Sequence, residues 1–455
     1  MTTATSPETG TQKTAFEPRV VAFVCKWCTY AGADLAGTSR MTYDSNVRSI
    51  MLPCTGRIDI SFVLRAFLQG ADGVLVSGCH PGDCHYTAGN FRARRRWSLL
   101  RDLLDVLGFD LNRLDMAWIS AAEGAKWVKT IQDFTDRVRA MGPYDSMQAV
   151  AADHAPTTPE AAAVAPQASL PAVSASAQKD EALSAAVSAA FAEGRIKALI
   201  GFIPTVLGRR RPTFITSADE AASLVSPGDE PINLARFLSD AAVRKMMPLG
   251  IVARTDEMAA VHVLLQESQF KAADVVVYAY GDGGEFLGEL DVASAGARLV
   301  SDPLAELPPD RPGGYSDETY QALDALMART PAERWAFWNE HFSRCLRCYA
   351  CRGACPMCNC QQCFFDKNQP QWFPTAADGP GILAWHIVRA FHLSGRCVGC
   401  GACEAACPSR IPLNLLGAAL SRSALRQFGH RAGADPSATP LQAEYRQDDR
   451  AEFIK

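Results

Sequence analysis

Arg19–Cys25 (RVVAFVC), Val47–Cys54 (VRSIMLPC) and Asp72–Cys79 (DGVLVSGC) are three short apolar runs, and each ends in cysteine. Runs of this length, rich in aliphatic residues, read as buried strands. Between the last two lies Ile58–Gly70, where Phe62, Leu64, Ala66, Phe67 and Leu68 form the partly buried face of a helix. Met116–Ser120 supplies a fourth strand and Ala122–Met141 a closing helix. This rhythm predicts an α/β domain over residues 17–143, a doubly wound parallel sheet with helices on both faces. Such sheets place their ligands outside the carboxyl ends of the strands. Cys25, Cys54 and Cys79 therefore gather at one rim, joined by Cys28 and Cys84.

Outward from this domain the composition changes. Residues 144–179 are dominated by Ala, Pro, Ser and Thr, a mixture too poor in large apolar groups to offset its ordering entropy, and read as a flexible tether. Residues 180–340 alternate helices with strands at Ala198–Ile203, Leu249–Ala253 and Asp274–Tyr280, with a helix at Asp256–Gln266. Gly281-Asp-Gly-Gly284 lacks the Lys and the spacing of a phosphate loop and reads as a turn. Pro303–Gly314 is a loop, and Asp317–Phe342 a helical lead-in.

Residues 341–425 carry the densest chemistry. Cys345, Cys348, Cys351 and Cys355-Pro356 repeat as Cys397, Cys400, Cys403 and Cys407-Pro408. Both copies have the spacing C-x2-C-x2-C-x3-C-P, the ligand run of ferredoxins with two 4Fe–4S clusters, in which the fourth Cys ligates the other cluster. The expected sets are thus Cys345, Cys348, Cys351 and Cys407 for one cluster, and Cys397, Cys400, Cys403 and Cys355 for the second. Zinc or structural thiols could explain one run, but two copies with matching Pro exceed what they require. The expected architecture after the first domain is α+β, carrying a dicluster ferredoxin-like module. Cys358, Cys360 and Cys363 follow the first run closely enough to suggest an extra metal site, with zinc, alternate cluster ligation or shielded thiols as the choices. Gly379–Ser394 reads as an amphipathic helix whose His386 and His392 are not assigned as ligands. Residues 426–455 read as a C-terminal tail.

At 455 residues, two or three domains are expected. Hydrophobic content of 48% and charged content of 21% suit a globular protein, and a net charge of −4 argues against general nucleic-acid binding. Sixteen cysteines point to metal in a reducing compartment. Met1–Pro18 has no apolar leader and no run is long enough to span a bilayer, so a cytoplasmic location is expected. The arginines of Phe91-Arg92-Ala-Arg94-Arg95-Arg96-Trp97 read as a solvated helix face or as a docking patch for an acidic partner. Arg209-Arg210-Arg211 reads as a solvated run.

The N-terminal motifs carry a resemblance. Cys25-Lys-Trp-Cys28-Thr-Tyr-Ala-Gly-Ala-Asp-Leu-Ala-Gly, Asn46-Val-Arg, Cys54-Thr-Gly-Arg and Gly78-Cys79-His80-Pro-Gly-Asp-Cys84-His85-Tyr resemble the delta subunit of methyl-viologen-reducing hydrogenase. The resemblance implies a 2Fe–2S protein connecting an electron-input hydrogenase or dehydrogenase to the flavoprotein subunit of a heterodisulfide-reductase-type complex. A 2Fe–2S cluster takes four thiolates; Cys25, Cys54, Cys79 and Cys84 are favoured here, with Cys28 the alternate. A thiol-redox or zinc regulator built on Cys25 and Cys28 is a rival reading. Gly250–Gln266, followed by the dicluster run, resembles the beta subunit of deazaflavin-dependent hydrogenases and their formate dehydrogenase relatives. That resemblance implies a flavin-bearing subunit oxidising a nicotinamide or deazaflavin. This chain has Arg254-Thr-Asp256-Glu257 where the family has an Arg-x-Cys-Asp/Glu motif, and it lacks a G-x-G-x-x-G loop, so FAD is left unassigned. The combined expectation is an electron-transfer subunit with two 4Fe–4S clusters and one 2Fe–2S cluster, without a catalytic residue of its own.

Overall fold

The structure, a computed structural model, describes residues 16–144, 177–294 and 314–455. The alanine- and proline-rich stretch read as a tether and the Pro303–Gly314 loop fall almost entirely outside them.

The first unit is the expected doubly wound sheet. Strands β1 (Val20–Cys25), β2 (Val47–Leu52), β3 (Gly73–Gly78) and β4 (Leu114–Trp118) are all parallel, in the order β2-β1-β3-β4. Alternation within each strand sends its side chains into two cores. Val20, Ala22, Val24, Leu75 and Ala117 pack under α4 (Gly124–Met141), and α1 (Thr29–Thr38) lies on the same side. Phe23, Val74, Val76 and Met116 face α2 (Ile60–Leu68) and α3 (Gly89–Val106). The chain runs outward from β1 to β2 and then returns to β3, so the switch point of the winding lies between β1 and β3.

The second unit, read as α+β, is a five-stranded mixed sheet flanked by helices. Its strands are β5 (Ala198–Pro204), β6 (Arg210–Ile215), β7 (Leu249–Ala253), β8 (Val275–Tyr280) and β9 (Phe286–Asp291), in the order β6-β5-β7-β8-β9. The inner strands β5, β7 and β8 are parallel, and both edges are antiparallel. The edge strands escape sequence reading because they are half exposed and polar: β6 holds the arginine run. Arg209 and Arg211 are exposed as expected, but Arg210 is drawn in by Glu230 at 3.2 Å and the Ser226 carbonyl at 2.8 Å. Helices α5 (Glu181–Ala192) and α6 (Thr255–Gln266) belong to this unit.

Residues 314–455 form helices and loops, with no strand beyond isolated bridges among the described residues. The expected lead-in helix is two helices, α7 (Asp317–Met327) and α8 (Pro331–Ser343), because Thr330 caps a fresh start with Pro331 at its first position. Short helices α9 (Ala350–Ala354) and α11 (Ala402–Ala405) follow the cysteine loops, while α10 (Gly379–His392) and α12 (Leu413–Phe428) are long.

This last region and the first unit share one hydrophobic core, so the two are packed together rather than held at a tether's length. Trp338 on α8 is fully buried and donates to the Val106 carbonyl at 3.0 Å. Phe62 stacks on Trp372, with centroids 5.4 Å apart.

Two readings of charge and tail are corrected together. Arg94 and Arg95 are 3% and 1% exposed, and of the run only Arg92 faces solvent. Arg95 makes a two-pronged pair with Asp449, both contacts at 2.9 Å, and Arg94 and Arg96 donate to carbonyls of the segment Gln442–Gln447. The acidic partner of the arginine run is therefore the chain's own residues 441–449. Residues 426–455, read as a C-terminal tail, return to the first unit: Trp118 donates to the Lys455 carbonyl and Lys455 donates to the Met116 carbonyl, covering the β4 edge of the sheet. Local spacing could not reveal this pairing, because the partner lies 354 positions away.

Candidate functional site

All sixteen cysteines are free thiols, and they fall into two groups. At the carboxyl rim of the first sheet, Cys25 ends β1 and Cys79 follows β3, so the pair straddles the switch point. Their sulfurs are 3.7 Å apart. A second pair, Cys54 and Cys84, is 3.8 Å apart. At a metal–sulfur bond of ≈2.3 Å, tetrahedral geometry separates two ligating sulfurs by about 3.8 Å. Each pair is thus spaced as two thiolates on one metal atom, and all four residues are buried. A 2Fe–2S group fits this donor set.

Crowding and burial divide the thiols of this rim, lowering Cys25 and raising Cys28, Cys54 and Cys79. The hydrogen bond from Cys79 brings the Cys25 thiol down to about 6, and the same contact together with burial drives Cys79 up. Burial pushes Cys54 to about 11. One proton shared between Cys25 and Cys79 is what two crowded thiols show without a cation. Cys28, the alternate, is half-buried, raised by burial, and hydrogen-bonded to Cys79.

Close backbone approach builds this rim. A Cβ at Gly89, the first residue of α3, would overlap the Cys54 sulfur and lie 3.3 Å from that of Cys84. Asn90 donates to the carbonyls of Cys79 and His80 at 3.1 and 2.7 Å, tying the loop to the helix start. His80 meets Glu123 at 2.6 Å, linking the same loop to the start of α4. Around the rim, Trp27 and Tyr86 are 42% and 54% exposed, and Trp27 stacks on His85 at 3.8 Å.

The second group repeats itself. Arg347 and Tyr349 have φ of 49° and 61°, and the equivalent Gly399 and Gly401 have 78° and 71°. Left-handed conformations at the same two positions turn each loop around its sulfurs, at a cost of order 1 kcal/mol for the non-glycine residues. In both loops the residue two after the first cysteine donates its N–H to that sulfur, Arg347 to Cys345 at 3.4 Å and Gly399 to Cys397. Amide donors aimed at sulfur suit bound thiolates.

Burial and neighbouring thiols act on the cysteines of both loops. Burial raises Cys345 to about 11, and its charged neighbours are Cys351, Cys407 and Cys348. Burial likewise raises Cys397, Cys400 and Cys403, the last to about 12, and each counts Cys355 among its neighbours. Cys358 hydrogen-bonds Cys355, whereas Cys360 is exposed and Cys363 precedes a short 3-10 turn. Among the described residues no three His, Cys, Asp or Glu side chains converge as for a single metal ion. His386 is a core residue, stacked on Phe342 with centroids 4.4 Å apart, and His392 lies 3.6 Å from Asp59.

Three features escaped the sequence. Gly89 is one, and Tyr315 is another, its hydroxyl 3.0 Å from the Cys397 sulfur. The third is a cavity of about 690 Å³ bordered by Arg254, Asp256, the Gly281–Gly284 turn, Tyr315, Cys397 and Cys400. Burial, with Glu257 beside it, lifts the Asp256 carboxyl to about 8. The cavity's lining residues Arg254, Asp256, Cys397, Cys400 and the turn each stood out in the sequence, but nothing there placed them around one cavity. No helix among the described residues is long and apolar enough to cross a membrane.

Comparison with known proteins identifies the first unit. Residues 20–142 match the family of the methyl-viologen-reducing hydrogenase delta subunit. An iron-sulfur subunit of an F420-non-reducing hydrogenase from Methanococcus voltae is 52% identical over 128 residues, 28% of this chain and 89% of that protein. The counterpart from Archaeoglobus profundus is 44% identical over 129 residues, 28% of this chain and 94% of that protein. One subunit of the ferredoxin:CoB-CoM heterodisulfide reductase of Methanosarcina mazei is 48% identical over 129 residues, but these are 16% of that protein. Both kinds of relative are subunits of oxidoreductase complexes, which supports an electron-transfer role within such a complex. Through residues 20–142 the chain belongs to the family of the methyl-viologen-reducing hydrogenase delta subunit.

Proposed function

We propose that the chain is an iron–sulfur electron-transfer subunit, relaying electrons between a hydrogenase- or dehydrogenase-type donor and the flavin subunit of a heterodisulfide-reductase-like complex, the electron-bifurcating kind included. The observation that carries this is the pair of thiol pairs at 3.7 and 3.8 Å on the carboxyl rim of the first sheet. Cys25 with Cys79, and Cys54 with Cys84, would hold the two irons of a 2Fe–2S cluster. Cys345, Cys348, Cys351 and Cys407 would hold one 4Fe–4S cluster, and Cys397, Cys400, Cys403 and Cys355 the second. Bound clusters supply one-electron chemistry, and the protein sets their potentials through burial and hydrogen bonds to sulfur. The shared core between the first unit and residues 314–455 keeps the two thiol groups in one body, as an internal relay needs. Exposed Trp27 and Tyr86 give the N-terminal rim an apolar border suited to a partner protein.

In the relatives the same module occurs as a protein on its own and as 16% of a longer chain, so joining it to other modules has precedent. Anaerobic purification should yield about ten iron atoms per chain, two fours and a two, with both 2Fe–2S and 4Fe–4S signals in the reduced EPR spectrum. A preparation holding 4Fe–4S iron alone would remove the N-terminal half of the proposal. The cavity beside Cys397 and Cys400 favours one second reading, a flavin-bearing beta-type subunit. Stoichiometric flavin in the purified chain would select it.

A further inference from the structure

Arg389 sits on α10, 8% exposed, between the two cysteine loops. Nη2 donates to the Cys351 carbonyl at 3.1 Å, the guanidinium also meets the Cys358 thiol, and Nε has no partner. Among the described residues no carboxylate lies within 4.0 Å of it. The titratable groups that act on it are the thiols of Cys358, Cys403, Cys355 and Cys351, and His386 beside it is held neutral by burial. Arg396 offers the contrast: it too is near Cys355 and Cys358, but Glu267 neutralises it through a two-pronged pair. Burying an uncompensated cation is costly, and such groups are kept only where a counter-charge is at hand. Among the described residues, deprotonated sulfur is the group around Arg389 that supplies a counter-charge, and thiolate ligation is what deprotonates it.

We infer that Arg389 is the shared counter-ion of the two 4Fe–4S sites, placed to hold both at a higher reduction potential than their thiolates alone would give. This rests on the proposed ligand sets, since the neighbours of Arg389 come from both: Cys351 from one, Cys355 and Cys403 from the other. A cluster held by four thiolates is a net anion and gains one further negative charge on reduction. A fixed, desolvated positive charge favours the reduced form, and low dielectric strengthens that preference. Arg389 acts through the field at sulfur and is a positioning residue, with no bond made or broken at its own atoms.

The test is a potentiometric titration of the anaerobically purified full chain, followed by EPR, in wild type, Arg389→Met and Arg389→Lys. Arg389→Met should disfavour reduction of the 4Fe–4S centres at least tenfold, a downward shift of 59 mV for a one-electron couple. Arg389→Lys keeps the charge and should move them in the same direction by less. The 2Fe–2S midpoint should not change. Full iron in Arg389→Met with unmoved 4Fe–4S midpoints would overturn the inference. So would loss of 4Fe–4S iron in both variants, which would make Arg389 a packing residue. Absence of 4Fe–4S signals from the wild type would instead defeat the ligand reading itself, before any variant is made.

Discussion

Replacing Gly89 by Ala isolates the N-terminal site from the rest of the molecule. The added methyl would overlap the Cys54 sulfur, and ordinary contact requires at least 3.4 Å, so the sulfur must retreat by about 1 Å. The alternative, a shift of α3, is blocked because Arg95, Trp97 and Leu99 on that helix are locked in the shared core and the Asp449 pair. Metal–thiolate distances tolerate changes of about 0.2 Å. A displacement some five times larger removes Cys54 from ligation and opens the 3.8 Å Cys54–Cys84 pair. The fold itself should not suffer, since Ala is favoured over Gly in a helix by roughly 0.5–1 kcal/mol. Iron analysis and EPR of Gly89→Ala should therefore show about two of ten irons lost, the 2Fe–2S signal gone and the 4Fe–4S signals intact. Gly353→Ala is the control: it lies beside Cys351 on α9, and a Cβ there meets nothing within 4 Å. A Gly89→Ala protein with its full iron and an unaltered 2Fe–2S spectrum would refute the assignment of Cys54 and Cys84.

Asp449→Ala leaves the buried Arg95 guanidinium with only the half-exposed Glu444, at 3.7 Å, as counter-charge and should lower unfolding free energy by about 3 kcal/mol in denaturant titrations, whereas replacing Arg95 and Asp449 together by apolar residues should restore most of it. His386 is buried without hydrogen-bond partners, and burial, with Arg389 nearby, depresses its pKa to about 3. Below about pH 6.5 the unfolded chain takes a proton that the folded protein refuses. Stability of the metal-free chain should thus fall as pH drops from about 6.5 towards 3, and His386→Phe should flatten that slope in melts at a series of pH values. Tyr315→Phe removes the hydroxyl 3.0 Å from the Cys397 sulfur and should move one 4Fe–4S midpoint downward while leaving iron content unchanged.

The strands of the first unit were legible because their apolar runs are short and end abruptly, and parallel winding then forces their last residues to one rim. That is why Cys25, Cys54 and Cys79 could be placed together from sequence. Pairing was not legible. Cys84 reaches Cys54 only because Gly89 lets α3 start against the sulfur, a contact that no periodicity announces. Strands β6 and β9 were missed because their side chains are half-exposed or exposed along nearly their whole length, leaving no alternation of buried and polar residues to reveal them.

Two matched cysteine spacings, the alternation of strand and helix, and a family signature over residues 20–142 are properties of local order along the chain, and the sequence by itself determined them. Long-range packing decided the rest. A helix bearing Arg94, Arg95 and Arg96 looks alike whether it faces water, a partner or its own C-terminal segment, and only the position of Asp449 resolved the choice. Arg389 is likewise one arginine among many until burial strips it of water and carboxylates and leaves sulfur as its counter-charge.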